Sequence, residues 1–348
     1  MGDGGKALIW LGEIGLVSFF SAAAISFGLL LWLRPLLRRY ALAKPNARSS
    51  HKEPTPQGGG IAVIAATTVV ACAVFMILPG QMNGAFQLVV VFASAILLAL
   101  VGVTDDLRPL EAMPRLFLQA IAVGAVLAAL PTELRVLPMT PLWIERLLQF
   151  IGAIWFVNLV NFMDGIDWMT VAEVVPVATA LALFGLLGAL PWNATIIAVA
   201  LCGAIIGFAP FNRPVAQLFL GDVGSLPIGL LLGWLLVLLA GSGHLAAALL
   251  LPLYYLADAT ITLLRRLVKG ERITHAHRSH FYQRAMDNGF SVYQIVGRVF
   301  ALNVALGALA TATLVIQSRT IHVFVILVGS GLVALILWNF WYPPKIKT

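Results

Sequence analysis

Charge is scarce in this chain: only 11% of its 348 residues are Asp, Glu, Lys or Arg, against roughly 25% in an ordinary soluble domain. That scarcity, beside a hydrophobic share of 60%, excludes a water-soluble globule. Cysteine is scarcer still. Cys72 and Cys202 are the only two, and each lies inside an apolar run, which excludes a disulfide framework and a thiolate zinc site. No basic stripe with interleaved aromatics is present, so the net charge of +7 does not mark a nucleic-acid binder. In a membrane protein such an excess of Lys and Arg reflects loop topology instead. Internal repeats and low-complexity linkers are also missing, and residues 1–348 read as one domain.

What the chain has in abundance is apolar sequence in runs of about 17 to 25 residues, long enough to cross a hydrocarbon core. Eleven such runs centre on residues 16–33, 59–78, 87–103, 115–130, 147–160, 170–189, 192–209, 224–240, 245–264, 294–316 and 320–341. The fifth is short, and a tight turn at Pro191 separates the sixth from the seventh. The expected fold class is therefore all-α, a polytopic membrane protein of about 10–11 transmembrane helices with its active site on cytoplasmic loops. Ala22, Ala23 and Ala24 form a conceivable cleavage site. The first run is nonetheless expected to be retained, because apolarity continues to Leu33 and stops at Arg34, Arg38 and Arg39, where a stop-transfer flank belongs.

Orientation follows from the cations. The loops 34–58, 104–114, 161–169, 210–223 and 265–293, with their flanks and the C-terminal tail, carry 18 of the 22 Lys and Arg; the opposite side has Lys6, Arg135, Arg146 and Arg319. The positive-inside rule makes the first side cytoplasmic and the N-terminus periplasmic.

Nearly every residue able to do chemistry collects on that same side. Asp105 and Asp106 end the third span, Asp164 and Asp167 follow the fifth, Asp222 precedes the eighth, and His275, His277 and His280 lie between the ninth and tenth. Each acid alone reads equally well as a solvated loop residue. Five carboxylates facing many cations point to a hard metal ion, Mg²⁺ with Mn²⁺ as its substitute, holding an anionic substrate. The adjacent carboxylates of Asp105 and Asp106 repel, so a cation or a proton must relieve them. In Asn158-Leu-Val-Asn161-Phe-Met-Asp164-Gly-Ile-Asp167, polar residues recur every third position and would line one face if the segment is helical. Gly165 suggests a place where backbone approaches a ligand.

Asp222 stands between Gly221 and Gly224 in Phe219-Leu-Gly-Asp-Val-Gly-Ser225, exposed to a bound phosphate's metal; Asp222 and Ser225 could equally cap the following helix. His275-Ala-His-Arg-Ser-His280 lacks a fourth ligand for a closed zinc site, and beside Arg272, Arg278 and Arg284 it suits phosphate hydrogen bonds or proton transfer. The turn-rich, basic stretch Lys44–Gly60 reads as a connector or a substrate-covering loop. Glu173 and Asp258 lie within spans, where an acid is either functional or a satisfied structural hydrogen bond.

Taken in order, the segments Pro45-Asn-x-Arg-Ser-Ser-His51, Pro54-Thr-Pro56 with Gly58-Gly-Gly60, Asp105-Asp106, Asn158 through Asp167, Phe219 through Ser225, and His275 through His280 resemble those of the polyprenyl-phosphate N-acetylhexosamine-1-phosphate transferases, glycosyltransferase family 4. The histidine segment, with Phe281-Tyr-Gln-Arg284, looks most like the branch that initiates O-antigen. The resemblance implies a bacterial inner-membrane enzyme that moves an N-acetylhexosamine-1-phosphate from a UDP-sugar to undecaprenyl or another polyprenyl phosphate, releasing UMP. It implies Asp105 as the base for the lipid phosphate, supported by Asp106, with His277 and His280 on phosphate. Asp222 would be the metal ligand, with Asp164 as second choice. Lys44, Asn46, Arg48, His51, Asn158, Asn161, Asp164, Asp167, Asn212, His275 and Arg278 would bind substrate. A homodimer is compatible with it; nucleic acid is not expected as a partner. The chain departs from the pattern at Ala43 and Lys44 and at Trp168, where relatives carry glycine, and Trp168 is expected to narrow or stack on the substrate pocket. The competing reading is a transporter, which would call for inverted repeats and acids near the bilayer midplane.

Overall fold

The computed structural model describes residues 3–43, 54–77, 84–271 and 278–342, with side chains from residue 12 onward. It is helical almost throughout. The helices are α1 (Asp3–Tyr40), α2 (Gly60–Ile77), α3 (Ala85–Leu107), α4 (Ala112–Ala128), α5 (Leu142–Met163), α6 (Met169–Leu186), α7 (Trp192–Phe208), α8 (Asp222–Leu239), α9 (Leu245–Leu250), α10 (Leu253–Val268), α11 (Phe281–Asp287), α12 (Val292–Val315) and α13 (Arg319–Trp341). Two short strands, β1 (Leu42–Ala43) and β2 (Thr55–Pro56), pair antiparallel with Leu42 opposite Pro56.

Among the described residues eight helical stretches are long and apolar enough to cross a membrane, and α4 and α7 are shorter apolar helices. The protein is thus an all-α, multi-pass membrane protein. Its centre is α8, whose apolar stretch is 89% buried; α1 and α13, at 22%, form the outside. Exposed apolar side chains on those two helices, such as Phe20, Trp32, Phe324 and Trp338, find their partners in lipid rather than water.

One expected span is rebuilt. Residues 245–264 do not form a single helix. The chain leaves α8 through a π-helical turn, Ala240–His244, in which Gly243 takes φ 91°, continues as α9, and breaks again before α10. Pro252, directly before α10, offers no N–H to a helix running on from α9. Residues 222–250 therefore run as one long apolar stretch bent at Gly243, and α10 starts afresh.

Close helix approach positions the chemistry. A Cβ on Gly102 of α3 would lie 2.3 Å from the Asp222 backbone, and one on Gly60 of α2 would lie 2.1 Å from Cα of Gly224. Only glycine lets the start of α8 sit against both helices at once. The segment before α8 is stitched to the end of the first loop: Phe219 N–H donates to Pro56 O (2.8 Å), Gly59 N–H to Phe219 O (2.9 Å) and Gly60 N–H to Leu220 O (2.8 Å). The ends of α3 and α5 and the starts of α6 and α8, which carry the acids, thereby converge at one end of the bundle.

At the start of α5 the cations are few and spoken for. Arg135 Nε donates to the buried carboxylate of Glu145 (2.7 Å), which also accepts from Val136 N–H (2.6 Å).

Candidate active site

Asp106 is the residue that orients α8. Its two carboxylate oxygens accept from the N–H groups of Asp222 (3.0 Å) and Val223 (3.2 Å), donors that an α-helix leaves unpaired in its first turn. An anion at that point also meets the positive end of the helix. Gly221 is required next to it, because a Cβ there would lie 2.5 Å from Asp106 Oδ2 and its φ is 78°. The alternative of capping by Asp222 and Ser225 is not realised, since α8 has no side-chain cap of its own. Asp106 caps from outside, which leaves the Asp222 carboxylate free to face a cavity.

That carboxylate is held from two sides. Asn161 of α5 donates to Asp222 Oδ1 (2.7 Å) and to Ser225 Oγ (2.9 Å), while Arg115 of α4 lies 3.6 Å from Asp222 Oδ2. Arg115 also donates to Asp105 Oδ2 at 3.0 Å, and Asp105 Oδ1 accepts from Leu110 N–H at 2.6 Å. Asp105 and Asp222 thus share one guanidinium nitrogen, Arg115 Nη1. Two carboxylates this close repel, and a cation between them relieves the repulsion.

Beside this pair lies a cavity of about 220 Å³ lined by Gln57, Asp106, Asn161, Asp164, Asp167, Asn212, Phe219 and Asp222, with the backbone of the intervening turns. Asp164 caps the end of α5 and accepts from the Thr170 hydroxyl. Burial, with added repulsion from Asp106 and Asp167 and partial relief from Thr170, pushes its carboxyl up to about 7. A carboxyl raised in the folded state costs stability as it ionises, an effect growing from its ordinary value up to about 7 and constant above. Asp164→Asn is therefore expected to melt at the wild-type temperature near about pH 4, and above wild type near about pH 8 in metal-free buffer, while losing activity. Melting curves at both pH values check it; an equal offset at both would contradict it.

Asp167 is buried and accepts from Ala216 N–H (3.0 Å); Asn212 accepts from Trp168 N–H (2.8 Å) and donates to Leu218 O (3.0 Å). These two shape the cavity floor. The four polar residues 158, 161, 164 and 167 do not share a helical face as expected, because α5 stops at Met163 and the chain turns through Gly165 and Trp168. Asn158 instead donates to Gln119 of α4 (2.7 Å) and to Ile154 O (2.9 Å), away from the cavity. Gly165 lines the cavity and also makes room for Tyr282: a Cβ would lie 2.0 Å from the Tyr282 hydroxyl, which donates to Phe162 O (3.1 Å).

His280 is buried and does not line the cavity. Its Nδ1 lies 3.1 Å from Asp258 Oδ1, its ring stacks on Tyr282, and Asp258 also accepts from the N–H groups of Phe281 (3.0 Å) and Tyr282 (3.2 Å). The pair fixes the start of α11. Arg278 pairs with Asp287 at 3.2 Å. Glu173 accepts from Asn303 of α12 at 2.6 Å, tying two helices together. Lys44, Asn46, Arg48, His51, His275 and His277 lie outside the described residues.

Residues 88–240 match the model of glycosyl transferase family 4, a stretch holding Asp105, Asp106, Asn161, Asp164, Asp167 and Asp222. Over this stretch the chain is similar to glycosyl transferase family 4. Curated proteins similar to it span most of its length. The decaprenyl-phosphate N-acetylglucosaminephosphotransferase of Mycolicibacterium smegmatis is 28% identical over 316 residues, 81% of this chain and 77% of the relative. The probable undecaprenyl-phosphate N-acetylglucosaminyl 1-phosphate transferase of Bacillus subtilis is 22% identical, covering 88% of each. The phospho-N-acetylmuramoyl-pentapeptide-transferase of Aliarcobacter butzleri is 26% identical, covering 65% of this chain and 75% of the relative.

Trp168 does not line the cavity. Its backbone is left-handed (φ 60°), its indole N–H donates to Ala209 O (2.6 Å), and its ring meets Tyr293 edge-on at 6.0 Å. A left-handed non-glycine residue costs about 1–2 kcal/mol, and here the indole contacts offset the strain. Trp168→Gly is accordingly expected to leave the relative rates with different UDP-sugars unchanged. A changed ratio across a sugar panel would return the ring to the pocket. Sequence reasoning passed over Gln57 and Arg115. Gln57 Nε2 donates to Asp106 O (2.6 Å), inside a loop already suspected. Arg115, beside Pro114 in the first turn of an apolar helix, had only its place at the site end to mark it.

Among the described residues no group of three or more His, Cys, Asp or Glu side chains forms a metal cage. The donor set nonetheless fits Mg²⁺, which is held by one or two carboxylates, with waters and substrate phosphates filling its other positions. Asp105 and Asp222 supply such a pair.

Proposed function

We propose that the protein transfers an N-acetylhexosamine-1-phosphate, GlcNAc-1-phosphate being the donor group nearest to the relatives' names, from a UDP-sugar to a polyprenyl phosphate. The observation that carries this reading is the Asp105–Asp222 carboxylate pair, bridged by Arg115 at the edge of a polar cavity where apolar helices end. A phosphate-bearing lipid and a water-soluble nucleotide sugar can meet only at such a level.

In the reaction an oxygen of the lipid phosphate attacks the β-phosphorus of the UDP-sugar. The bond from that phosphorus to the oxygen bridging to the α-phosphate breaks, and UMP leaves with that oxygen. Asp222 and Asp105 would hold Mg²⁺, which supplies positive charge to the diphosphate and to the departing UMP. Asp106 does its part through α8, by fixing the angle at which Asp222 faces the cavity. Asn161 orients the same carboxylate. Asp164, Asp167 and Asn212 supply the polar wall for the nucleotide. Asp105 is better read as a partner of Asp222 than as the base, because its two oxygens are already engaged by Leu110 N–H and by Arg115, which it shares with Asp222. A phosphate monoester, with a second pKa of about 6, needs no strong base at neutral pH.

The distribution of Lys and Arg supports a cytoplasmic site with a periplasmic N-terminus in a bacterial inner membrane. The product would start a lipid-linked envelope glycan, and the histidine segment supports O-antigen. The test is to supply membranes containing the chain with undecaprenyl phosphate and a panel of radiolabelled UDP-sugars. A labelled lipid with UDP-N-acetylhexosamines, absent from Asp222→Asn membranes, is the expected result; no labelled lipid with any donor would refute the reading.

A further inference from the structure

Arg115 occupies an unusual place. Its guanidinium reaches from α4 to Asp105 (3.0 Å) and Asp222 (3.6 Å), two carboxylates that share this one cation and fit a divalent ion. All three side chains are largely shielded, with 14–25% exposure. Without a cation there the pair would repel, working against the Asp106 anchor that holds the start of α8 to the end of α3. With one, a second cation must displace it. A guanidinium is a fork of donors that cannot lose its proton, so it holds this place at every working pH.

We propose that Arg115 is the resident counter-cation of the Asp105–Asp222 pair, holding the site assembled when no metal is bound and competing with the metal for the same carboxylates. The inference rests on the metal reading given under Proposed function. Its consequence is a directional one: the bare protein is preorganised, and metal binding is weaker than the two carboxylates alone would give. Metal arrival frees a guanidinium beside the cavity, where an anionic substrate is the natural new partner.

The test is Mn²⁺ binding to the metal-stripped full-length protein in detergent, with free Mn²⁺ read by electron paramagnetic resonance. Asp222→Asn is expected to lose saturable binding. Arg115→Gln, which removes the competing charge, is expected to bind about fivefold more tightly than wild type, the scale of a partly exposed ion pair. Arg115→Lys, a single point charge without the fork, is expected to fall between the two. Thermal unfolding gives a second readout: metal-free Arg115→Gln should melt below wild type and gain more on adding Mn²⁺. Equal or weaker Mn²⁺ binding by Arg115→Gln, in a wild type that binds saturably, overturns the proposal. Should Arg115→Gln fail to fold, Arg115→Lys decides alone, and affinity no higher than wild type overturns it. Absence of saturable binding in the wild type removes the metal reading itself, and the inference with it.

Discussion

Asp222→Asn is expected to lower the transfer rate by about 10³-fold or more, the scale on which losing a group that stabilises developing charge is felt. The substitution keeps the shape of the side chain and its ability to accept from Asn161, which lies 2.7 Å away. It removes the negative charge that faces Arg115 and the cavity. The fold should be nearly indifferent, because α8 is anchored by Asp106 through the Asp222 and Val223 backbone, not by the Asp222 carboxylate. Detergent-purified variant should therefore be monodisperse and melt close to wild type. The rate of labelled lipid formation at matched protein amount checks the chemistry. Near-normal turnover would contradict the assignment of Asp222.

Asp105→Asn is expected to be impaired by about 10²-fold with no recovery from about pH 6 to about pH 9.5. Were Asp105 a base for the lipid phosphate, the variant should regain activity as alkaline pH ionises that phosphate fully. The structure argues for a flat profile: Asp105 is bonded to Leu110 N–H and to Arg115, which also faces Asp222, so its loss disorganises the charge pair at all pH values. A pH–rate profile at saturating Mg²⁺ separates the two roles. Partial rescue on the alkaline side would restore the base assignment.

The apolar runs made the helices legible, since each run of that length has only one way to bury its backbone in lipid. The location of Asp105, Asp106, Asp164, Asp167 and Asp222 at one end was also legible, because loop position along the chain decides the side of the membrane. Their division of labour was not. Asp106 could not be told from Asp105 without seeing that it caps α8 across 116 residues of sequence. The periodic reading of residues 158–167 assumed a continuous helix, whereas Gly165 yields to Tyr282 and Trp168 adopts a left-handed backbone. Nothing in the preference of tryptophan announces that conformation. His280 looked like a phosphate ligand from its neighbours in sequence; its partner Asp258 lies 22 residues earlier and buries it. Arg115 escaped notice because its meaning resides in two carboxylates from other helices.

The central claim is that a sugar-1-phosphate moves, so that the bond broken lies between the two phosphorus atoms of the donor. The most direct measurement uses UDP-GlcNAc labelled with ³²P at the β-phosphate, incubated with the purified protein, undecaprenyl phosphate and Mg²⁺. Transfer of GlcNAc-1-phosphate carries the label into the organic-soluble lipid and releases unlabelled UMP in equal amount. Label remaining in water-soluble UDP while sugar appears on lipid, or no lipid product from this donor or any related one, would contradict the account.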